Sequence, residues 1–288
     1  MARRVGLALA LLGALLATAT PPVAQAVVGG KAVKPGSFRY VAEVQIGGHF
    51  GCTGSLLAPQ WVLTAGHCGS ITGSLSLGLA PSRAAWPPSA YTVFLGGIYT
   101  DGRGAERHAV ARAIVDSDYI VTNGTGNDVT LLKLDRPSHI KPILIADQAQ
   151  RRYWLPGSLA TIAGFGTTSE NATTPPPTMR WARVPITTDA YCARAYPSGL
   201  SEVPNDGYWD GRTMLCAGYR RGGTDTCEGD SGGPLLVHVH GGVLRLVGAT
   251  SFGKGCAEAG HPGVYARLAQ GPIKAFIERF VPGAFARR

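Results

Sequence analysis

Beyond its first residues, the chain lacks any apolar run long enough to cross a membrane. A helical span needs about 20 apolar residues, and residues 5–17 form a shorter run, while no later segment reaches about 18. The formal charge is +9, yet Lys and Arg are scattered among Asp and Glu and form no basic run. The 40 glycines and 20 prolines interrupt apolar runs without building a repeat. We therefore expect neither a membrane nor a nucleic acid as a partner, and no low-complexity chain.

Residues 1–26 have the organisation of a secretory signal. The basic start, Met-Ala-Arg-Arg, precedes the apolar run, and this order predicts export and a secreted protein. Two small-residue patterns fit signal cleavage: Ala-Thr-Ala, which ends at residue 19, and Ala-Gln-Ala, which ends at residue 26. The mature chain then begins at Thr20, with residues 20–26 as a short propeptide, or directly at Val27. Both alternatives stay open.

The rest of the sequence is rich in short strand patterns and poor in helical ones. Apolar or alternating runs predict strands at residues 39–46, 60–66, 91–97, 128–134, 158–166, 234–240 and 243–253. The linker Gly241-Gly242 suits the positive φ of a tight hairpin. Only residues 273–280, behind Pro272, carry apolar side chains at helical spacing. The pattern predicts an all-β fold of barrels or sandwiches with a C-terminal helix.

The six cysteines in an exported chain predict three disulfides, because oxidising compartments favour such bridges. Their connectivity cannot be deduced from counting.

The segment Cys-Glu-Gly-Asp-Ser-Gly-Gly-Pro, centred on Ser231, is the most informative part of the sequence. A serine hydroxyl becomes a nucleophile when a base takes its proton, so a histidine and a group that orients it are required. The glycines around Ser231 also fit the nucleophile elbow of α/β-hydrolases. That alternative fails, because a strand-like run follows instead of a helix and no Asp occurs after residue 231.

The required partners lie upstream of Ser231. His67 ends the segment Thr-Ala-Gly-His beside Cys68, and Asp128 precedes the strand-like run Val-Thr-Leu-Leu. With VVGG, TAGHC, NDVTLL and GDSGGP in this order, the chain resembles the chymotrypsin-like (S1) serine proteases from Val27 to about Phe280. Among them it is most similar to the short secreted trypsins of actinomycete bacteria.

This resemblance implies a fold and an activity. The fold is two six-stranded antiparallel β-barrels with the active site between them and a C-terminal helix, divided near residue 145 into halves 27–145 and 146–288. The activity is that of a secreted, monomeric serine endopeptidase that uses no cofactor and no metal. Its partners are protein or peptide substrates and proteinaceous protease inhibitors.

The resemblance also assigns the catalytic residues. His67 is the general base and then the acid, Asp128 orients it, and Ser231 attacks the scissile carbonyl. The backbone amides of Gly229 and Ser231 form the oxyanion hole, and a glycine at position 229 lets its amide turn inward.

Cleavage after Arg or Lys is implied by Asp225, six residues before Ser231, at the base of the primary specificity pocket. The other substrate-binding positions are Thr226, Ser251, Phe252, Gly253 and Gly263. Phe252 and Phe165 stand where relatives commonly have Trp, and Glu228 stands where many trypsins have Gln. We expect Phe252 and Phe165 to keep an apolar face. Glu228 either repels acidic residues near the scissile bond or is simply solvated, as such a residue more often is.

Family pairing joins Cys52 with Cys68, Cys192 with Cys216, and Cys227 with Cys256. The family also implies that a new N-terminus at Val27 folds inward, so that its α-amine pairs with Asp230. A calcium loop within residues 69–90 is not supported, since no pair of glutamates occurs there. His238 and His240 lack a third metal ligand.

Two other classes of protein were weighed. A non-catalytic protease-fold binding protein usually loses one of the catalytic residues or the oxyanion-hole glycine, and this sequence keeps them all. A cationic cell-wall- or nucleic-acid-binding protein would carry a clustered basic face, which this sequence lacks. The sequence therefore favours the enzyme.

Overall fold

The computed structural model describes residues 27–71, 85–121, 126–197 and 209–286. The predicted signal peptide and propeptide, residues 1–26, lie outside the described residues. Within these described ranges, no helix is long and apolar enough to span a membrane.

The first sheet is a closed barrel of six antiparallel strands. These are β2 (Val41–Ile46), β3 (His49–Ala58), β4 (Trp61–Thr64), β5 (Tyr91–Leu95), β6 (Glu106–Val115) and β7 (Thr130–Leu134). Around the barrel they follow the order β2, β3, β4, β7, β6, β5. Strand β5 shows why this sequence forms a barrel wall: Tyr91, Val93 and Leu95 are buried, while the side chains between them are only partly buried. Such alternation follows from the two-residue period of a strand.

The second sheet has seven antiparallel strands. These are β1 (Lys31–Ala32), β8 (Leu159–Gly164), β9 (Arg180–Pro185), β10 (Met214–Ala217), β11 (Pro234–His238), β12 (Leu244–Phe252) and β13 (Gly263–Arg267). Their order is β1, β9, β8, β11, β12, β13, β10. Six of them come from the second half of the chain, as expected for the second barrel, and β1 is an additional strand that pairs with β9.

Without β1, the second sheet has six strands, with β9 at one edge and β10 at the other, and hydrogen bonds join these two edges. Gly218 N donates to Pro185 O at 2.9 Å, and Thr187 N donates to Cys216 O at 2.9 Å. These bonds connect β10 to the end of β9, so the expected all-β architecture of two barrel-like sheets is confirmed.

The hairpin between β11 and β12 has a three-residue loop rather than a two-residue turn. Val239 N donates to Val243 O at 2.8 Å and Gly242 N donates to Val239 O at 3.0 Å, so the loop consists of His240, Gly241 and Gly242. Gly241 and Gly242 have the expected positive φ, at 73° and 74°, which glycine adopts without a steric penalty.

The helices are few and mostly short. They are α1 (Gly66–Gly69), α2 (Ser117–Val121), α3 (Asp189–Ala195) and α4 (Gly271–Phe280), with 3₁₀ segments at Pro88–Ala90, Gln148–Trp154 and His240–Gly242. Helix α4 is the predicted C-terminal helix, and its Ile273 and Ile277 are completely buried in the largest apolar cluster.

That cluster joins the two barrels. It contains Leu63 and Leu131 of the first barrel, Ile162 and Leu235 of the second, and the buried Val27. Because the barrels share this core, loops from both of them meet at fixed positions along one junction.

Three disulfides are present, and every cysteine takes part in one. The pairs are Cys52–Cys68, Cys192–Cys216 and Cys227–Cys256, the same pairs that the family resemblance implies. Cys52–Cys68 ties β3 to α1, which carries His67.

Candidate active site

Helix α1 carries His67 at the end of β4, where the chain makes its closest approach to Asp128. A Cβ atom at Gly66 would lie 2.9 Å from Asp128 Oδ1, from Tyr119 Cγ and from Val129 N. Only glycine leaves room for this approach. The local sequence Ala-Gly-His therefore allows the backbone of α1 to pack directly on the carboxylate.

The carboxylate of Asp128 is buried, with 6% of its side chain exposed, and both of its oxygens accept hydrogen bonds. His67 Nδ1 lies 3.0 Å from Oδ2 and 3.2 Å from Oδ1. His67 N donates to Oδ1 at 2.9 Å, and Ser251 Oγ donates to Oδ2 at 2.5 Å. These contacts fix the imidazole with its other ring nitrogen, Nε2, directed away from Asp128.

Two opposing effects set the pKa of each member of this pair. For His67, burial disfavours the imidazolium, but the adjacent Asp128 carboxylate outweighs burial and raises the pKa above its usual value. For Asp128, burial would raise the pKa, but His67 and the Ser251 hydroxyl stabilise the carboxylate and hold its pKa below the usual range. The pair is therefore suited to stabilise a protonated imidazole beside an ionised Asp128.

The residue before Asp128 is held by a contact that sequence reasoning missed. Asn127 adopts a φ of 50°, and its Nδ2 donates to Asp116 Oδ2 at 3.1 Å between two buried side chains. Asp118 N donates to Asp116 Oδ1 at 3.0 Å. The Asp-Ser-Asp segment offered no signal for this role, because only the fold brings Asp116 to Asn127.

The segment that carries Ser231 lies against the first barrel, beside His67. Ser231 O accepts a hydrogen bond from Thr53 N at 2.8 Å and lies 4.0 Å from Cys68 Sγ. At Gly232, with φ at 79°, a Cβ atom would lie 2.5 Å from both Ala65 N and Thr53 O. Gly232 thus permits the contact that brings the Ser231 and His67 segments together.

Gly229 has the conformation and the free amide expected of an oxyanion hole. Its φ is 92°, a value that glycine adopts readily, and its carbonyl accepts a hydrogen bond from Thr53 Oγ1 at 2.9 Å. Among the described residues, the amides of Gly229 and Ser231 donate to no protein acceptor. Both donors are therefore available to a substrate oxygen.

Asp225 lies buried directly beside Gly263. Its residue exposure is 4%, and Thr226 N donates to its Oδ1 at 2.8 Å. A Cβ atom at Gly263 would lie 2.5 Å from Asp225 Oδ1, whereas at Gly253 it would approach only a backbone oxygen at 3.5 Å. Burial raises the pKa of Asp225 to about 7, against the opposing effect of the Thr226 amide.

The three residues that differ from the family pattern, Phe252, Phe165 and Glu228, have different surroundings. Phe252 packs edge-on against Tyr196, with ring centroids 5.5 Å apart, and Tyr196 Oη donates to Pro262 O at 2.8 Å. Phe165 is buried in an apolar cluster between the sheets, and Glu228 is exposed. Both phenylalanines therefore keep the apolar contacts expected of them.

Asp230 is completely buried in the second barrel. Its oxygens accept hydrogen bonds from Gly166 N and Cys227 N, each at 2.9 Å, and burial raises its pKa to about 7. Within the described part of the chain, the ion pairs include no cation at Asp230. Two amide donors partly offset the cost of burying this carboxyl group.

The VVGG segment is seated in the core of the molecule. Val27 is fully buried, Val28 O accepts a hydrogen bond from Asp225 N at 3.2 Å, and Arg180 Nη2 donates to Gly30 O at 3.0 Å. The start of the described residues is thereby fixed beside Asp225.

One cluster of potential metal ligands lies at the proposed catalytic histidine. Among the described residues, the one close group of potential metal ligands is Cys52, His67 and Cys68. Both of its sulfur atoms are bonded to each other in a disulfide, so neither is a free thiolate ligand.

Two barrel-like sheets, a half-buried histidine paired with a buried aspartate, and an adjacent Gly-Asp-Ser-Gly-Gly loop define a protein of the chymotrypsin-like serine protease class. The family model described as Trypsin matches residues 27–277, and the chain belongs to this family.

Its curated relatives include three animal proteins. Transmembrane protease serine 5 of Homo sapiens is 33% identical over 251 residues, which are 86% of this chain and 50% of the relative. Serine protease 56 of Homo sapiens is 36% identical over 249 residues, 84% of this chain and 37% of the relative. Anionic trypsin of Canis lupus familiaris is 31% identical over 263 residues, 91% and 92% of the two chains. The chain thus spans half or less of the first two relatives and nearly all of the third.

Proposed function

We propose that this protein is a secreted serine endopeptidase that cleaves peptide bonds after Arg and Lys. The observation that carries the proposal is the hydrogen-bonded pair of His67 and Asp128 next to the Ser231 loop, whose amides at Gly229 and Ser231 lack protein acceptors. A base, its orienting carboxylate, a hydroxyl and two free donors are the parts that acyl transfer needs.

In the first half of the reaction, Ser231 Oγ attacks the scissile carbonyl carbon while His67 Nε2 takes its proton. Asp128 keeps the neutral imidazole protonated on Nδ1 and then stabilises the imidazolium. The new oxyanion accepts hydrogen bonds from the amides of Gly229 and Ser231. His67 next donates the proton to the leaving amine, and an acyl-enzyme remains. Water, deprotonated by His67, then releases the acid product.

Selectivity for Arg and Lys rests on Asp225. Its buried carboxyl group has little exposed surface and a pKa near 7 when no cation is present. A guanidinium or ammonium group of the substrate would stabilise the charged carboxylate, and the open side at Gly253 leaves space for a long side chain. An anionic side chain of the substrate would instead be repelled by the carboxylate of Asp225.

Activation follows from the buried Asp230. A chain cut before Val27 gains an α-amine at an already buried position, and this cation would pair with the carboxylate of Asp230 and hold the loop that carries Ser231. Breaking a buried ion pair typically costs about 3–5 kcal/mol. The new N-terminus at Val27 would be made either by signal peptidase or by a second cleavage after Ala26.

The remaining features of the proposal rest on the sequence. They are export by residues 1–26, division of the domain into halves 27–145 and 146–288, action as a monomer, proteinaceous inhibitors as partners, and a close likeness to the secreted trypsins of actinomycetes. The relatives reported above are animal proteins.

The test uses the secreted protein and its Ser231→Ala variant. A covalent serine-directed inhibitor should label the wild-type protein stoichiometrically and leave the variant unlabelled, and a peptide library should be cut after Arg and Lys. Labelling without cleavage at Arg or Lys would refute the specificity. Failure of inhibitor labelling in a chain shown by intact mass to begin at Val27 would instead support a non-catalytic binding protein.

A further inference from the structure

A cavity of about 160 Å³ lies in the C-terminal half of the chain. It is bordered by the 3₁₀ segment Gln148–Trp154, the end of β9, and strands β10 and β13. Its wall contains no residue of the proposed catalytic, oxyanion or specificity sites. The cavity is therefore separate from the proposed active site.

Two arginines give this cavity an excess of positive charge. Arg267 is 7% exposed, and it donates from Nε to Met214 O at 2.6 Å and from Nη2 to Asp189 Oδ1 at 2.7 Å. Arg151 donates to Trp154 O at 3.3 Å. Burial lowers the pKa of Arg151, and the positive charge of Arg267 lowers it further. Asp189 is the one carboxylate in the wall, so one positive charge is left without an opposite charge there.

An apolar surface completes the wall. Pro156, Ile186 and Leu215 provide most of it, together with Trp154, which is 7% exposed. The guanidinium of Arg151 lies over the Trp154 ring, 5.6 Å from its centroid, so a positive charge and an apolar surface adjoin in one wall.

We propose that this cavity binds a carboxylate attached to a compact apolar group. The guanidinium of Arg151, next to the positive charge of Arg267, would hold the carboxylate, and the apolar wall would contact the remainder. The volume is close to the roughly 150 Å³ that accommodates one benzene ring. The ligand is either a small free acid or the C-terminal residue of a peptide. The pocket of Asp225 has the opposite charge and would repel the same ligand.

The experiment measures ligand binding to the full chain carrying Ser231→Ala, which prevents self-digestion, by isothermal titration calorimetry. Benzoate serves as the free acid and N-acetylleucine as the peptide C-terminus, each beside its neutral amide. We expect saturable binding of at least one acid and no binding of its amide. Arg151→Gln removes a charged hydrogen bond and should weaken binding roughly 10- to 100-fold.

Arg152→Gln is the matched control. Arg152 is the exposed neighbour of Arg151 and contacts Tyr153 outside the cavity wall, so the affinity should change less than about twofold. Ile186→Ala removes part of the apolar wall and should weaken binding several-fold, which provides a second test if Arg151→Gln lowers the melting temperature.

Each outcome bears on the proposal. Binding of benzoate alone assigns the site to small acids, and binding of N-acetylleucine assigns it to peptide ends. Absence of saturable binding by both acids at millimolar concentration would overturn the proposal. So would equal affinity in the wild-type chain and in both cavity variants. Inhibitor labelling at Ser231, measured on the same cavity variants made with Ser231 intact, is an independent readout, because the cavity substitutions alter no proposed catalytic residue.

Discussion

At the scale of single residues, Asp128 shows why identity and environment must be considered together. A carboxylate with 6% side-chain exposure stays ionised because a histidine and a serine side chain and one backbone amide all bind it. The same degree of burial has the opposite consequence at Asp225 and Asp230, whose pKa values rise to about 7 because no cation pairs with them among the described residues. The pKa values of these three buried aspartates therefore differ because their partners differ.

Replacing Asp128 with Asn should reduce kcat by about 10⁴-fold, a magnitude known for this class of enzyme rather than derived from this structure. The pH profile supplies the second readout. Since the pKa of His67 is raised, kcat/KM of the wild-type enzyme should fall as the pH drops through a value above 6.5, because protonated His67 cannot act as a base. A profile that stays flat down to pH 5 would contradict this role of His67.

Replacing Asp225 with Ser should abolish the preference for Arg and Lys over neutral side chains and leave inhibitor labelling of Ser231 intact. In the wild-type enzyme, KM for an Arg substrate should also rise as the pH falls below about 7, where Asp225 becomes protonated. Steady-state kinetics on matched Arg and Gln peptides measure both effects. Thr226→Ala, which retains the carboxylate, is the control, and unchanged selectivity in Asp225→Ser would refute the assignment.

At the scale of elements, the close approach of β8 to the Ser231 loop depends on glycine. A Cβ atom at Gly164 would lie 2.1 Å from Asp230 Oδ1, and Asp230 is itself held by Gly166 N and Cys227 N. The carboxylate therefore cannot move aside without losing a buried hydrogen bond. The strand and the loop form one packed unit.

Gly164→Ala should accordingly destabilise the protein by about 1–3 kcal/mol and reduce inhibitor labelling of Ser231, because the loop must shift. Denaturant unfolding and the labelling rate measure the two effects. Gly283→Ala is the matched control, since an added Cβ there meets no atom within 4 Å, and its stability should change by less than about 0.5 kcal/mol. Equal stability of the two variants would count against the packing argument.

At the scale of the whole molecule, the N-terminal segment joins the shared core to the segment that carries Asp225. Val27 belongs to the core cluster shared by both barrels, and β1 adds its strand to the second sheet. The segment from Val27 to Ala32 thus contributes both to the core and to the second sheet. A charged α-amine at Val27 would change the electrostatics of the buried Asp230.

We expect the chain that keeps residues before Val27, here called the extended chain, to become less stable as the pH rises, because of Asp230. Its folded pKa of about 7 exceeds the unfolded value near 4, so the folded state binds more protons between these limits. The resulting contribution is fully present below about pH 4 and is lost as the pH rises through about 7, with a size on the order of 2–4 kcal/mol.

Unfolding free energies of the extended chain and its Asp230→Asn variant, both with Ser231→Ala, measure this difference across pH 4.5 to 7.5. The advantage of the wild-type chain over the variant should shrink as the pH rises. In a chain that begins at Val27, the α-amine should remove this trend. A constant difference between the two extended chains would contradict the burial of a protonated Asp230.

Much of the architecture could be predicted because its signals are local. Alternation in β5 and the glycine pair between β11 and β12 depend only on neighbouring residues, and so does the apolar spacing that predicts α4. The predicted strand at residues 128–134 is observed at Thr130–Leu134, since Asp128 lies in the turn that contacts His67. The contacts of Asp116 with Asn127 and of Ser251 with Asp128 left no such local signal.

The sequence by itself determined the class of fold, the family and the identity of the residues that could carry catalysis, because motif order and side-chain periodicity lie along the chain. The tertiary structure alone decided which of these groups touch and which become buried. Gly164 meets Asp230, β1 joins the second sheet, and Arg151 and Arg267 share one cavity. Contacts between residues distant in sequence, and the pKa values that follow from burial, depend on how two barrels pack around one core.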